Sequence, residues 1–205
     1  MLIIGICGAS GSGKTTLAQE LAARLEGRCV YLKQDSYYRD HSDLPFERRE
    51  RINYDEPEAF EHDALYRDLN GLREGKAISE KNYDYTRHCR ADTGKIIRPA
   101  DVILVEGIHM FYDPAVRDLL DIKIYMQVDP DICLLRRVRR DINERGRSVE
   151  SVYRQYLDTV KPMYEKHIRS YAQYADLIVG QGETNPILMD MLVHYINNGT
   201  EHEGE

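Results

Sequence analysis

Residues 8–15 read Gly-Ala-Ser-Gly-Ser-Gly-Lys-Thr, and this run constrains the chain more than any other feature. It fills G-x-x-x-x-G-K-[ST] at every position. A short apolar run, residues 2–7 (LIIGIC), comes before it, and Leu17, Leu21 and Leu25 follow at helical spacing. A strand entering such a loop and a helix leaving it turn backbone N–H groups inward. They also aim the positive end of the helix dipole at one point, which makes a cradle for phosphate. Gly8, Ala9, Ser10, Gly11, Ser12 and Gly13 are expected to wrap the phosphates of a nucleotide, with Thr16 on the same first helical turn. Lys14 supplies a point charge to the β- and γ-phosphates, and the Thr15 hydroxyl is placed to ligate Mg²⁺.

The rest of the chain alternates in the same way. Strands are expected over residues 29–33, 101–105 (DVILV), 122–128 and 176–179. Helices are expected over 14–26, 57–74, 131–144, 148–171 and 185–196. Residues 78–97 mix β-formers with Asn82, Asp84 and Gly94, which suggests a small hairpin-like insertion. The fold class is therefore α/β, a doubly wound parallel sheet whose ligands bind beyond the carboxyl ends of the strands. At 205 residues, one domain over 1–197 is expected, with a disordered tail over 198–205.

Composition removes several classes. A formal net charge of −7 argues against a nucleic-acid binder. No apolar run approaches the ~20 residues that span a bilayer, and the first seven residues are too short for a signal peptide. Cys7, Cys29, Cys89 and Cys133 form no C-x-x-C pair, and scattered thiols fit a reducing compartment. A cytoplasmic protein with no membrane partner is the expectation. No N-K-x-D guanine reader is present, and the chain is short for a motor ATPase.

Phosphoryl transfer needs a carboxylate at the acceptor hydroxyl and cations over the transferring group. Asp35 follows the second strand directly, at the sheet edge that carries the glycine loop. Glu106 follows the 101–105 strand, where a Mg²⁺-organising carboxylate is expected; a turn glutamate is the alternative. The one basic stretch, residues 136–147 (RRVRRDINERGR), is too interrupted for a nucleic-acid patch. As an arginine-rich helical lid, over about 136–155 and hinged at Gly146, it could close over a triphosphate.

Taken in order, GASGSGKTT, QDSYYRD, NYDEPEAF, YDYTRHCR, DVILVEGI, RRVRRDINERGRS, QYLDTVKPMY and YADLIV resemble the uridine kinase (uridine–cytidine kinase) family, from the loop to the last helix. The resemblance implies a P-loop NTPase fold, ATP (or GTP) as donor with Mg²⁺, and phosphorylation of the 5′-hydroxyl of uridine and cytidine. It implies that Asp35 is the base, that Asp55 and Arg137 hold the ribose hydroxyls, and that Tyr83 and His88 read the pyrimidine edge. Tyr54 and Tyr85 would pack on the base, Arg147 and Gln155 would complete the acceptor pocket, and Arg140 would reach the phosphates. It also implies a homo-oligomer, commonly a tetramer.

Two segments depart from the family pattern. Val179-Gly180-Gln181-Gly182 replaces Ile-Pro-Arg-Gly, which leaves Thr184 as the contact expected near the donor nucleotide. Residues 79–82 are polar where an apolar, Pro-containing segment is usual. A sister kinase for another small acceptor, such as a phosphoribulokinase or pantothenate kinase, is the neighbouring reading. A nucleotide-binding regulator without turnover is the reading from another class.

Overall fold

Residues 102–105 have no exposed surface at all. Such a strand must be covered on both faces, and the computed structural model, which describes residues 1–180 and 185–199, shows why. In chain order the first elements are β1 (Leu2–Gly8), α1 (Lys14–Arg24), β2 (Cys29–Lys33), α2 (Phe46–Arg49), α3 (His62–Arg73), β3 (Ile78–Asp84) and β4 (Cys89–Ile97). There follow β5 (Val102–Gly107), α4 (Pro114–Asp118), β6 (Ile122–Met126), α5 (Pro130–Asn143), α6 (Val149–Gln155), α7 (Lys161–Lys166), β7 (Leu177–Val179) and α8 (Pro186–Gly199).

Five strands form one parallel sheet in the order β2-β5-β1-β6-β7. Successive side chains of a strand point to opposite faces. Ile3, Cys7, Ile103 and Val105 accordingly join one core with Phe60, Leu65, Leu69 and Phe111. Ile4, Ile6, Val102 and Leu104 join the other with Leu17 and Leu21 of α1 and with Met189, Leu192 and Ile196 of α8. Burying each such side chain contributes roughly 1.5–3 kcal/mol. The expected insertion is a separate antiparallel pair, β3 with β4.

Parallel register decides what meets at the carboxyl edge. Cys7 lies beside Gly107, Gly8 beside Met126, and Lys33 beside Glu106. The glycine loop, the turn carrying Asp35, and Glu106 thus leave neighbouring strands on one side of the sheet.

Several expected boundaries change. The helix expected over 57–74 starts only at His62, after a 3-10 turn at Pro57–Ala59. Phe60 is extended there, bridges Tyr38, and stacks on its ring at 4.3 Å. The helix expected over 148–171 is broken: α6 passes into a π-helical turn, Tyr156–Val160, then α7, then 3-10 turns over Ile168–Tyr174. Pro162 has no N–H, so the carbonyl of Asp158 cannot join an α-helical ladder across this point. The tail expected from 198 begins inside α8, which continues to Gly199. Among the described residues, no helix is long and apolar enough to cross a membrane.

Candidate active site

The glycine loop closes tightly on its neighbours. Gly11 has φ +85°, and a Cβ there would lie 2.3 Å from the Cys133 carbonyl oxygen in α5, so only glycine fits. Lys14 is buried and its Nζ donates to Ala9 O at 2.8 Å, folded back into its own loop. Thr15 Oγ1 donates to Glu106 Oε1 at 2.8 Å, and Tyr31 OH donates to the same oxygen at 3.1 Å. Thr16 follows, exposed, on the first turn of α1. A hydroxyl joined to a carboxylate is an all-oxygen donor set that suits Mg²⁺, which keeps several waters and takes further ligands from phosphates.

Asp35 lies on a single 3-10 turn, Gln34–Tyr37, at the end of β2. Gln34 anchors that turn. Its side chain is fully buried, its Oε1 accepts from His109 N at 2.8 Å, and a Cβ on Gly107 would fall 2.2 Å from that oxygen. Asp35 Oδ2 accepts from Tyr85 OH at 2.7 Å.

A cleft of about 550 Å³, open to solvent, lies here, and Ser10 of the glycine loop is among the residues that line it. Every residue expected to meet the acceptor lines it. Asp35, Asp55 and Tyr54 come from the loops around β2 and α3. Tyr83, Tyr85 and His88 come from the β3–β4 hairpin, Arg137 and Arg140 from α5, Arg147 from the turn that follows it, and Gln155 from α6. Thr184 lies outside the described residues.

Asp55 is held from several sides. Its Oδ2 accepts from Thr159 Oγ1 at 2.8 Å, its N donates to Asn53 Oδ1 at 3.0 Å, and its carbonyl meets His109 Nε2 at 2.7 Å. A carbonyl can only accept, so Nε2 carries the proton, and His109 Nδ1 accepts from Tyr171 OH at 2.9 Å. Burial above all pushes the His109 pKa down to about 3, so the ring is neutral.

Also lining the cleft, the rings of Tyr54 and His88 stack at 5.1 Å with 14° between planes. His88 takes φ +48°, in a turn where Asp84 Oδ1 accepts from the N–H groups of Thr86 and Arg87. Burial, then the charge of Arg147, lowers the His88 pKa and favours neutral imidazole. Tyr83 is 5% exposed, and among the described residues its buried hydroxyl, like that of Tyr54, makes no well-formed hydrogen bond. Burial pushes the Tyr83 phenol well above its ordinary pKa, so the proton stays on.

The basic stretch is organised by one carboxylate. Asp141 is fully buried, and its Oδ1 accepts from Arg140 Nε at 2.9 Å and Nη2 at 2.8 Å. Arg137 Nε and Arg145 Nη1 each stand 3.5 Å away. Burial pulls the Asp141 carboxyl up, but the charges of Arg140, Arg137 and Arg145 bring it below its usual range. Arg137 Nη1 donates to Ser10 Oγ at 2.9 Å and Nη2 to Gln155 Oε1 at 2.9 Å. Gln155 Oε1 also accepts from Arg147 Nη1. The arginine segment is thus tied directly to the glycine loop.

With this geometry in place, comparison with known proteins is decisive. The sequence profile of the Phosphoribulokinase / Uridine kinase family matches residues 3–188. The chain belongs to that family. Uridine kinase of Ligilactobacillus salivarius (strain UCC118) is 48% identical, over 94% of this chain and 91% of that protein. Uridine kinase of Leuconostoc citreum (strain KM20) is 49% identical, over 94% and 93%. Among solved structures, phosphoribulokinase from Rhodobacter spheroides superposes with a TM-score of 0.61 at 18% identity, over 87% of this chain and 69% of that one. D-glycerate 3-kinase from Cryptococcus neoformans gives 0.56 at 17%, over 80% and 78%. At these identities the structural likeness concerns the fold, that of the P-loop kinases.

In this family member, several side chains at the site are given no role by the sequence. Thr159 lies in the quoted segment QYLDTVKPMY without a role of its own, and Tyr31 on β2 and His109 in the turn after β5 fall outside every quoted segment. Tyr38, which touches Tyr83 and Tyr54 at ring distances of 4.9 and 5.3 Å, reads from sequence as one more core tyrosine. Asp141 and Arg145 were visible inside the basic stretch, but nothing local marks Asp141 as the residue its arginines turn toward.

Proposed function

We propose that the chain is a uridine–cytidine kinase, transferring the γ-phosphoryl group of ATP (or GTP) to the nucleoside 5′-hydroxyl. One observation carries this reading. Asp35, the ribose-reading pair Asp55 and Arg137, the base-reading pair Tyr83 and His88, and the arginine segment line a single cleft together with Ser10 of the glycine loop. The curated relatives that bear the name uridine kinase, at close to half identity, support it.

The chemistry follows from the geometry. Phosphoryl transfer passes through a loose transition state, so positioning and charge dominate and Asp35 need accept the hydroxyl proton only late. Lys14 leaves its Ala9 carbonyl for the phosphates, Arg140 closes over the equatorial oxygens as part of a lid over about 136–155, and Arg147 completes the acceptor pocket with Gln155. Thr15 and Glu106 would hold Mg²⁺, which neutralises the β- and γ-phosphate charge when bound.

Base recognition tolerates both pyrimidines. Uracil presents an acceptor at O4 and a donor at N3, and cytosine reverses both. The Tyr83 hydroxyl and neutral His88 can each supply either sense. Ribose recognition is stricter, because a deoxyribose leaves a buried acceptor on Asp55 unfilled. A homo-oligomer, tetrameric by family resemblance, is part of the proposal, with sedimentation as its check.

The test is an acceptor panel in one coupled ADP-release assay: uridine, cytidine, deoxyuridine, ribulose 5-phosphate and pantothenate. Turnover with uridine and cytidine, and weak turnover with deoxyuridine, is the expected result. Turnover only with ribulose 5-phosphate or pantothenate would overturn the reading.

A further inference from the structure

The resemblance to the uridine kinase family implies that Tyr85 packs on the base. Its hydroxyl is engaged elsewhere, on Asp35 Oδ2 at 2.7 Å. The ring is fixed as well. The Arg145 guanidinium stands 4.3 Å from its centroid, and Tyr83 meets it edge-on at 5.6 Å. Burial, followed by the charge and hydrogen bond of Asp35, pushes the Tyr85 phenol far above its ordinary range, so it can only donate there.

Asp35 stands on a one-turn segment whose backbone is anchored through Gln34, but nothing in that anchor orients the carboxylate plane. The terminal torsion of an aspartate is broad and roughly two-fold, so an uncommitted carboxylate turns freely. A donor on Oδ2 removes that freedom and leaves Oδ1 for a second hydroxyl. Resting on the kinase reading above, we propose that Tyr85 is a positioning residue for phosphoryl transfer. Its O–H clamps Asp35 Oδ2 so that Oδ1 faces the acceptor 5′-hydroxyl, and its ring, seated against Arg145, ties that clamp to the arginine lid.

Tyr85→Phe keeps the ring and its packing and deletes only the donor. A positional error in a reacting group lowers turnover steeply. The variant should lose roughly 10- to 100-fold in kcat with uridine and with cytidine alike, while the nucleoside KM stays within about twofold. In the double variant with Asp35→Asn, kcat should equal that of Asp35→Asn alone, because Tyr85 acts through Asp35. A base platform or a fold-supporting tyrosine predicts something else: unchanged kcat in Tyr85→Phe, or a raised KM, or a fall in Tm. Wild-type kcat in Tyr85→Phe, or additive losses in the double variant, overturns the proposal. If the wild type turns over neither nucleoside, the kinase reading fails by itself. The clamp is then decided by a crystal structure of Tyr85→Phe, where the Asp35 carboxylate must leave its wild-type rotamer. An Asp35 side chain that stays in place there also overturns it.

Discussion

The Thr159 hydroxyl donates to Asp55 Oδ2 at 2.8 Å, joining positions 104 residues apart, and it does so from a π-helical turn. Turns of that kind recur at functional sites because they re-aim a side chain that an α-helix would point elsewhere. Thr159 occupies one carboxylate oxygen and, in the proposed pocket, leaves the other for a ribose hydroxyl. Thr159→Val should raise the KM for uridine about 10-fold, the loss of roughly one hydrogen bond to a charged group, with kcat nearly unchanged. Steady-state kinetics against uridine and ATP would check it, and an unchanged uridine KM would remove Thr159 from acceptor recognition.

Asp35→Asn keeps the shape of the side chain and takes away its ability to accept a proton. A fall in kcat on the order of 10²–10⁴-fold is expected, with ATP affinity intact. Titration calorimetry with a non-hydrolysable ATP analogue separates the two effects. Near-normal kcat would exclude Asp35 as the base.

Asp141 holds Arg137, Arg140 and Arg145 from a site with no exposure. Removing its charge leaves Arg137 buried beside weakened partners, and breaking such a pair costs about 3–5 kcal/mol. Asp141→Asn should therefore lower stability by roughly 3 kcal/mol in a urea melt and lower kcat as well, whereas Arg154→Ala, on an exposed pair, should change stability little. Equal melts for both variants would contradict the hub.

In the proposed pocket, His88 would read either pyrimidine only as neutral imidazole. Its pKa lies below the ordinary 6.5, through burial and then Arg147. Protonation would remove its acceptor, so the nucleoside KM should stay flat as pH falls through 6.5 and rise only at lower pH. His88→Ala should raise the nucleoside KM far more than the ATP KM and abolish that acid rise. An acid rise that persists in His88→Ala belongs to another group.

His109 gives a stability prediction with a definite sign. Its folded pKa is about 3 against 6.5 unfolded, so between those values the unfolded chain binds one more proton. The contribution is complete above pH 6.5 and is lost as pH falls from 6.5 toward 3, by about 1.4 kcal/mol per unit. Its surroundings oppose each other: the charges of His167 and His62 lower the value, and the Asp55 carbonyl and Glu58 raise it. His109→Gln retains an N–H donor without the titration. Comparing denaturation at pH 7 and pH 5, the acid loss should shrink by roughly 2 kcal/mol in that variant. An identical loss would place the titration elsewhere.

The amino-acid sequence alone determined whatever depends on neighbours along the chain. The phosphate loop is legible because its amides, its glycines and its helix dipole come from consecutive residues. The buried strands are legible because continuous apolar runs must be covered on both faces. Asp55, Tyr83 and His88 could be named only through a resemblance, since each alone looks like an ordinary loop or strand residue. The tertiary structure decided which atoms meet: Tyr85 on Asp35 across 50 positions, Thr159 on Asp55, and Arg137, Arg140 and Arg145 on Asp141. It also broke the 148–171 helix, where Pro162 and the reach of Thr159 outweighed a continuous helical pattern. The physical reason is range. Backbone periodicity is written locally, whereas a hydrogen bond between distant side chains exists only once sheet register and core packing have brought their strands and helices together.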